Sequence, residues 1–598
     1  MFVLLSVLFM CHIFTPAITE EAVLKSPTMF VAILVRNKAH TLPYFLTLFE
    51  QLNYPKDRMY LWIRSDHNID NSSSIVKSWL EANQHKYHHV DSVFDPEPYS
   101  DLDEEVAYWP KERYTHMIGL RESALTTARK LWADYILFLD ADVFLTNPDT
   151  LSLLISKNTT AVGPMLKSDG LYSNFWCGMS EKFYYKRTED YEPILSKKRV
   201  GCHQVPMVHS CVLVNLNVDS SDAFTFVPNK LKGYKGPHDD IITFALSTNF
   251  SGVHLYVCND QSYGYVTVPL EKDTGLEYDM EQLLNIKLHA IVETEDHGFP
   301  VSPLLSKFLP PPPPADKLSL DEIYVINLKR RPERKLKMVA ATSVLSLEVN
   351  FINAVDGRKL NDTNLAELGV SMLPGYADPY HKRPMKKGEI GCFLSHYKIW
   401  NDVIDKNYDI VMVLEDDVRF ESFFRQKLLA VLKELKTLPS WDLIYLGRKK
   451  LSEKPETLVP GSRYLVDASY SYWTLGYLLS SQGAHKLRNA HPLNNMLPVD
   501  EFLPLLSGKH PEKEWAEFYP VRDLITWSVQ PLLLYPMRYL NEEGYVSDTE
   551  DSPMALSTPE PSSGDSSMSL STPEPSLGKG SSEGAESSQR ERSMKEEL

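Results

Sequence analysis

The sequence predicts an α/β protein: two tandem domains, each a largely parallel sheet flanked by helices, followed by a polar tail. Three observations carry this. Two apolar runs stop abruptly at acids, Tyr135 to Leu139 before Asp140-Ala141-Asp142 and Ile410 to Leu414 before Glu415-Asp416-Asp417. Strand-like and helix-like patterns alternate around each run, the rhythm of a layered α/β sheet. A proline run, Pro310 to Pro314, separates the two halves, and from about Gly544 the composition shifts to Ser, Pro, Glu and Gly.

The acidic ends matter because of where they fall. A continuous run of β-branched and other apolar residues fits a strand buried on both faces. In open α/β sheets, ligands bind outside the carboxyl ends of the strands. Carboxylates crowded there repel one another and hold water unless a cation neutralises them. A hard divalent ion takes oxygen ligands and bridges carboxylates to a substrate's phosphates. A solvated acidic turn explains either end alone; two such ends in one chain point to two nucleotide-sugar folds in tandem.

The first domain is expected over residues 28–300. Phe30 to Val35 reads as a strand, Tyr44 to Leu52 as a helix, and Met59 to Ile63 as a second strand ending at Ser65-Asp66-His67-Asn68. Arg36 and Asp66 to Asn68 sit at successive strand ends, where a nucleoside can rest. Glu112 to Trp132 reads as the helix that feeds the Asp140 strand. His209, Asp239 and Asp240 come later; the last two fit either a ligand contact or a helix N-cap. Residues 301–318 read as a semi-rigid polyproline spacer.

The second domain is expected over residues 319–545. A strand from Ile323 through Asn327 runs into Lys329-Arg330-Arg331-Pro332-Glu333-Arg334, a basic turn suited to a pyrophosphate. Phe351 to Val355 is another strand. Lys387 to Trp400 is an amphipathic helix leading to the Glu415 strand, and Trp441 to Leu446 and Tyr472 to Leu479 add core strands. Asp500 and Glu501 form an acid pair in a segment otherwise built for burial, which suits general-base work. The tail, 546–598, repeats Leu556 to Ser562 as Leu570 to Ser576. It has too little apolar surface to offset its ordering entropy, so it is expected to be disordered.

The formal net charge of −17 over 598 residues, with no dominant basic stripe, argues against a nucleic-acid partner. Residues 1–17 resemble a signal peptide, and no later stretch is apolar for long enough to span a membrane. Lys595-Glu596-Glu597-Leu598 resembles an endoplasmic reticulum retrieval signal, which implies a retrieval receptor as partner. Sequons at Asn71, Asn158, Asn249 and Asn361 fit a lumenal chain. Of six cysteines, Cys11 falls in the leader, and one disulfide among Cys177, Cys202, Cys211 and Cys258 is expected in an oxidising lumen.

Longer motifs join these features. N-L-K-R-R-P-E-R (Asn327 to Arg334), K-G-E-I-G-C-F-L-S-H (Lys387 to His396), L-E-D-D-V-R-F-E (Leu414 to Glu421), W-D-L-I-Y-L-G-R-K (Trp441 to Lys449) and L-P-V-D-E-F-L-P (Leu497 to Pro504) resemble glycosyltransferase family 25. With D-A-D (Asp140 to Asp142), S-N-F-W-C-G and P-M-V-H in the first domain, the chain from about Met29 to Glu550 resembles the procollagen galactosyltransferase group, which includes the cerebral endothelial cell adhesion molecule. The resemblance implies two glycosyltransferase-A-type, Rossmann-like domains. It further implies inverting transfer of galactose from UDP-galactose to 5-hydroxylysine of collagen chains, with Mn²⁺, in the endoplasmic reticulum lumen.

Within that resemblance, Glu415, Asp416 and Asp417 are expected to hold the metal, with Asp140 and Asp142 as the matching set in the first domain. Asn327, Lys329, Arg330, Arg331 and Arg334 are expected to hold the donor. Asp500, ahead of Glu501, is expected to act as the base. Val143 stands directly after D-A-D where a polar residue is expected, so the chemistry is assigned to the second domain. The first is left as a second centre, an acceptor-binding module or a homodimer platform. The alternative for the whole chain is a catalytically silent adhesion protein that keeps the fold.

Overall fold

The computed structural model describes residues 26–95, 109–183, 185–271, 274–294, 298–538, 547–549 and 554. The expected leader, 1–17, and the Lys595–Leu598 signal lie outside the described residues. All described residues fall in one compact unit that ends at Ala555. Among them, no helix is long and apolar enough to cross a membrane.

Two large sheets organise this unit. The first has eight strands, in the order Cys202–Val205, Leu255–Cys258, Ala161–Pro164, Cys211–Asn215, Tyr135–Asp140, Met29–Val35, Met59–Ser65, His89–Phe94. The second has seven: Asn350–Asn353, Glu322–Asn327, Ile410–Glu415, Ser471–Ser480, Leu443–Lys450, Thr526–Val529, Leu465–Asp467. The sheets are mixed. Each acidic strand has a parallel partner on one side (Met29–Val35 or Glu322–Asn327) and an antiparallel one on the other (Cys211–Asn215 or Ser471–Ser480). The continuous apolar runs are explained by cover on both faces rather than by an all-parallel sheet.

Alternation along each strand divides its side chains between two cores. Val31 and Ile33 face one core of the first half, and Phe30 and Ala32 the other. In the second half, Val411 and Val413 face one core, and Met412 and Leu414 the other. Truncating one of these large side chains to Ala costs about 2–5 kcal/mol. The strand that ends at the acids is therefore clamped from above and below, and its end is held in place.

The halves are joined by more than a spacer. Residues 301–308 belong to the first half: Pro303–Ser306 is helical, Leu305 is fully buried, and Val301, Leu304 and Phe308 pack against the same core. Apolar side chains in this stretch find a core, which a polyproline spacer does not need, and the continuously exposed run is confined to residues 310–316. Helix Leu276–Glu293 ends the first half yet sends Leu288 and Ile291 into a core of the second. Asn285 accepts a hydrogen bond from the Phe423 backbone N–H (2.9 Å), and Lys337 donates to the Val292 carbonyl (2.7 Å). A disulfide joins Cys202 and Cys258, which face one another on the edge strand and its inner neighbour.

Candidate active site

In the second half, Glu415 is the last residue of its strand, and Asp416 and Asp417 form the turn that follows. The chain then enters Val418–Phe420, paired with Leu534–Pro536. A cavity of about 120 Å³ opens over this end, lined by the three acids, Arg330 and Arg334, Asp356, Cys392, His396 and Ser547 to Thr549. Helix Lys387–Asp405 forms one wall and approaches closely because of its glycines. A Cβ on Gly391 would sit 2.4 Å from the Val355 carbonyl oxygen, and one on Gly357 2.2 Å from that of Lys387. That contact is the physical reason for the K-G-E-I-G spacing.

The acids have different surroundings. Buried His396 directs Nε2 at Glu415 Oε1 (3.4 Å), while its Nδ1 meets the Tyr477 hydroxyl (3.0 Å). Thr474 also donates to Glu415. Burial opposes the Glu415 charge, but His396 and Thr474 outweigh it and hold the carboxyl below its ordinary range. Asp416 is buried and accepts from Asn327 Nδ2 (2.6 Å) and Arg334 (3.2 Å); burial still keeps its carboxyl raised. Asp417 accepts from Arg334 Nη1 at 3.0 Å.

The predicted donor residues separate in the same way. Arg330 and Arg334 line the cavity, while Asn327 is buried beneath it, its amide spent on Asp416 and the Arg331 carbonyl. Lys329 is exposed, and Arg331 grips Asp548.

Asp500 and Glu501 open helix Val499–Leu506 and diverge. Glu501 is buried and accepts from Tyr470 (2.9 Å), Tyr472 (2.5 Å) and His510 (2.8 Å), so its oxygens are committed to the fold. Asp500 lies toward Glu389 and Glu415. Burial first, then the charges of Glu501 and Glu389, push its carboxyl up to about 8.

The first half repeats the backbone arrangement. Asp140 ends its strand, Ala141 and Asp142 turn, and Val143–Leu145 pairs with Gly264–Val266. Its cavity is larger, about 810 Å³, and includes Arg36, Lys38, Asp66, Arg121, His209 and Asp240. Here the acids are neutralised by the chain itself. Lys38 Nζ lies 2.9 Å from Asp142 and 2.8 Å from Asp279. Arg121 bridges Asp140 (3.0 Å) and Asp240 (2.6 Å). Burial opposes the Lys38 charge, but Asp142 and Asp279 overcome it and raise its pKa. Burial, aided by Arg121, pushes His209 down to about 4.

Asp239 is the N-cap of helix Asp240–Phe250, accepting from the Ile242 N–H at 2.8 Å, while Asp240 holds Arg121. Asp66 lies beside His67 (3.1 Å) and His116 (3.0 Å). Burial opposes the Asp66 charge, but His116, His67 and Arg36 outweigh it and lower its pKa, and the three side chains Asp66, His67 and His116 offer ligand atoms close enough together to hold a metal ion.

Residues 26–287 match the model of the glycosyltransferase family 25 N-terminal domain, and residues 320–503 that of glycosyltransferase family 25 (LPS biosynthesis protein). The chain belongs to glycosyltransferase family 25. Among curated relatives, a glycosyltransferase 25 family member of Aedes aegypti is 50% identical over 531 residues, 88% of this chain and 87% of that protein. Procollagen galactosyltransferase 2 of Homo sapiens is 48% identical over 543 residues, 90% of this chain and 85% of that protein. Among solved structures, a mannosyltransferase from Pyrobaculum calidifontis in complex with GDP-Man and Mn²⁺ aligns at 12% identity over 54% of this chain and 76% of that one. Its TM-score of 0.26 is too low to assign a fold by.

For this family 25 chain, local sequence reading located both acidic ends and the basic turn. It missed the roles of His396, Lys38, Arg121, Asp279 and Asp548. His396 had a signal: it lies four residues before Trp400, whose Nε1 donates to the same Tyr477 hydroxyl (3.1 Å), on one helix face. For Lys38 and Asp279, far apart in sequence, no local signal exists.

Proposed function

We propose that this family 25 member is a procollagen galactosyltransferase-like enzyme, and that the second domain, a glycosyltransferase-A-type fold, carries the reaction. The observation that carries the proposal is the convergence of Glu415, Asp417 and the arginines of a basic turn on one cavity at a strand end, with Asp500 within electrostatic reach of Glu415. It is supported by the 48% identity to human procollagen galactosyltransferase 2. The donor is UDP-galactose and the acceptor is the hydroxyl of 5-hydroxylysine in a collagen chain.

A divalent cation fits the donor set. All three carboxylates line the cavity; Asp416 is spent on Asn327 and Arg334, which leaves Glu415 and Asp417, the latter shared with Arg334, as the hard oxygen donors. Mn²⁺ there supplies Lewis-acid stabilisation of the leaving diphosphate. The chain's own residues do the rest. Asp500, in its ionised form, takes the proton of the attacking hydroxyl. The acceptor oxygen bonds to C1 of galactose while the bond from C1 to the β-phosphate oxygen breaks, which inverts the configuration at C1. Arg330, Arg331 and Arg334 receive the charge that develops on UDP. His396 positions Glu415 and touches no reacting atom.

The lumenal assignments complete the proposal: cleavage of 1–17, retrieval through Lys595–Leu598, and glycans on Asn71, Asn158, Asn249 and Asn361. These four asparagines are all exposed, and Asn361 uses only its Oδ1, to cap a helix. The domains expected at 28–300 and 319–545 extend to take in residues 301–308 and Asp548 respectively, with the first as an acceptor-binding module or homodimer platform. A silent adhesion protein is favoured by one observation, the Asp548 carboxylate seated on the basic turn. Release of UDP by purified chain given UDP-galactose, Mn²⁺ and a hydroxylysine-containing collagen peptide decides between the two. Turnover that needs the peptide supports the enzyme; binding of the peptide without turnover supports the silent protein.

A further inference from the structure

The arginines of the basic turn already hold an anion that belongs to the chain. Asp548 Oδ1 lies 2.6 Å from Arg330 Nη1 and 2.8 Å from Arg331 Nη2. Arg331 Nε donates to both carboxylate oxygens, at 3.1 and 3.0 Å, and Arg334 Nη2 is 3.5 Å from Oδ2. The Asp548 side chain is only 11% exposed. Ser547 and Thr549 on either side line the same cavity as Glu415, Asp416 and Asp417. Further on, Met554 bridges to Lys386 through the backbone. Lys386 caps the helix whose Cys392 and His396 form the opposite wall. Asp548 and Met554 thus meet the basic turn and the start of the helix opposite it.

The same guanidiniums also meet fixed acids, Arg330 with Asp356, Arg331 with Glu333 and Arg334 with Asp416 and Asp417, but Arg forks match phosphate oxygens as well as carboxylate oxygens. A nucleoside diphosphate offers this cradle more acceptor oxygens than the two of Asp548. Because Asp548 is tethered, it nevertheless competes at a high effective concentration. We propose that the segment around Asp548 is an intramolecular competitor for the donor: its carboxylate and the donor's diphosphate take the same arginines in turn. This rests on the reading of the cavity as the donor site. The segment then sets the apparent donor affinity and leaves the chemical step untouched.

Full-length wild type and Asp548→Asn, titrated with UDP in Mn²⁺ by calorimetry, test the proposal, with Arg334→Ala and Asp417→Asn marking which binding step belongs to this cavity. Removing a tethered competitor is expected to tighten that step by roughly five- to thirtyfold and to lower KM for UDP-galactose with kcat unchanged. In the wild type, UDP with Mn²⁺ is expected to speed hydrogen exchange in peptides spanning Asp548. An unchanged affinity in Asp548→Asn, with the step still lost in Arg334→Ala, overturns the competitor and leaves the donor site standing. Slower exchange on adding UDP also overturns it, since the segment then covers the donor. UDP binding indifferent to both Arg334→Ala and Asp417→Asn overturns the donor-site reading, and the competitor with it.

Discussion

The two acidic strand ends share one backbone frame and differ in what neutralises them. In each, an acid ends a strand between a parallel and an antiparallel neighbour, two residues turn, and a short strand begins at a buried valine, Val143 or Val418. In the first, Lys38 and Arg121 each clamp two carboxylates. In the second, Arg334 serves Asp416 and Asp417 and also reaches Asp548, which lies outside the sheet.

The difference moves the argument for the second domain onto other residues. Val143 does not count against the first site, because Val418 holds the equivalent place in the second; both are buried starts of a paired strand. What distinguishes the sites is how their positive charge is held. Lys38 and Arg121 are locked by fixed carboxylates, so an added cation meets like charge there. In the second site Arg334 is likewise held by two fixed carboxylates, Asp416 and Asp417, and what differs is that it and its neighbours Arg330 and Arg331 also meet Asp548, from outside the sheet.

The sharpest way to break the comparison is to remove acids from each end. Asp417→Asn is expected to lower galactosyl transfer by roughly 10²–10³-fold, the range seen when one stabilising group at a transition state is lost. Asp140→Ala combined with Asp142→Ala is expected to keep most activity, since Arg121 retains Asp240 and Lys38 retains Asp279. Thermal melting first establishes that the double variant folds. A folded double variant without transfer places the chemistry in the first domain.

Asp500→Asn gives the next largest effect, a fall in kcat of roughly 10²–10⁴-fold if Asp500 is the base. Its carboxyl is pushed up to about 8 by burial and by Glu501 and Glu389, so the folded protein keeps a proton that the unfolded chain releases near pH 4. Folding stability attached to this group is therefore present at low pH and declines as pH rises from about 4 to 8. Asparagine carries no such penalty. The variant is expected to match wild type at pH 4 and to melt higher at pH 8. A variant that loses stability at pH 8 contradicts the assignment of a strained, poised carboxyl.

Legibility followed sequence distance. The strands were readable because a buried run of five or six residues is local, and so were the acids that end them. Asp500 and Glu501 were indistinguishable as letters, but neighbours on a helix point about 100° apart. Asp500 lies toward Glu389 and Glu415, and Glu501 faces Tyr470, Tyr472 and His510. The linker was misjudged at Leu305, whose burial depends on a core assembled from residues far earlier in the chain. The start of the tail was misjudged at Asp548, because a single acid in a polar segment gives no sign of the arginines it meets.

The smallest expected effect sharpens the comparison from the first site. Lys38→Met removes the cation between Asp142 and Asp279, and Asp279 is buried with His40 as its remaining partner, at 3.0 Å. Breaking a buried pair from one side leaves an uncompensated charge, typically worth about 3–5 kcal/mol. His40 and the partial exposure of Asp142 reduce that to roughly 2 kcal/mol here. Burial opposes the Asp279 charge, but Lys38 and His40 hold its carboxyl well below the ordinary range. The stability it contributes is therefore present above about pH 4 and lost as pH falls further. The penalty of Lys38→Met is expected to be full at pH 7 and to shrink below pH 4, where the Asp279 carboxyl can protonate. Galactosyl transfer per folded molecule is expected to stay near wild type. Urea melts at the two pH values, alongside an activity assay corrected for the folded fraction, separate the outcomes. A variant that melts like wild type but loses transfer assigns Lys38 to the reaction and not to the scaffold.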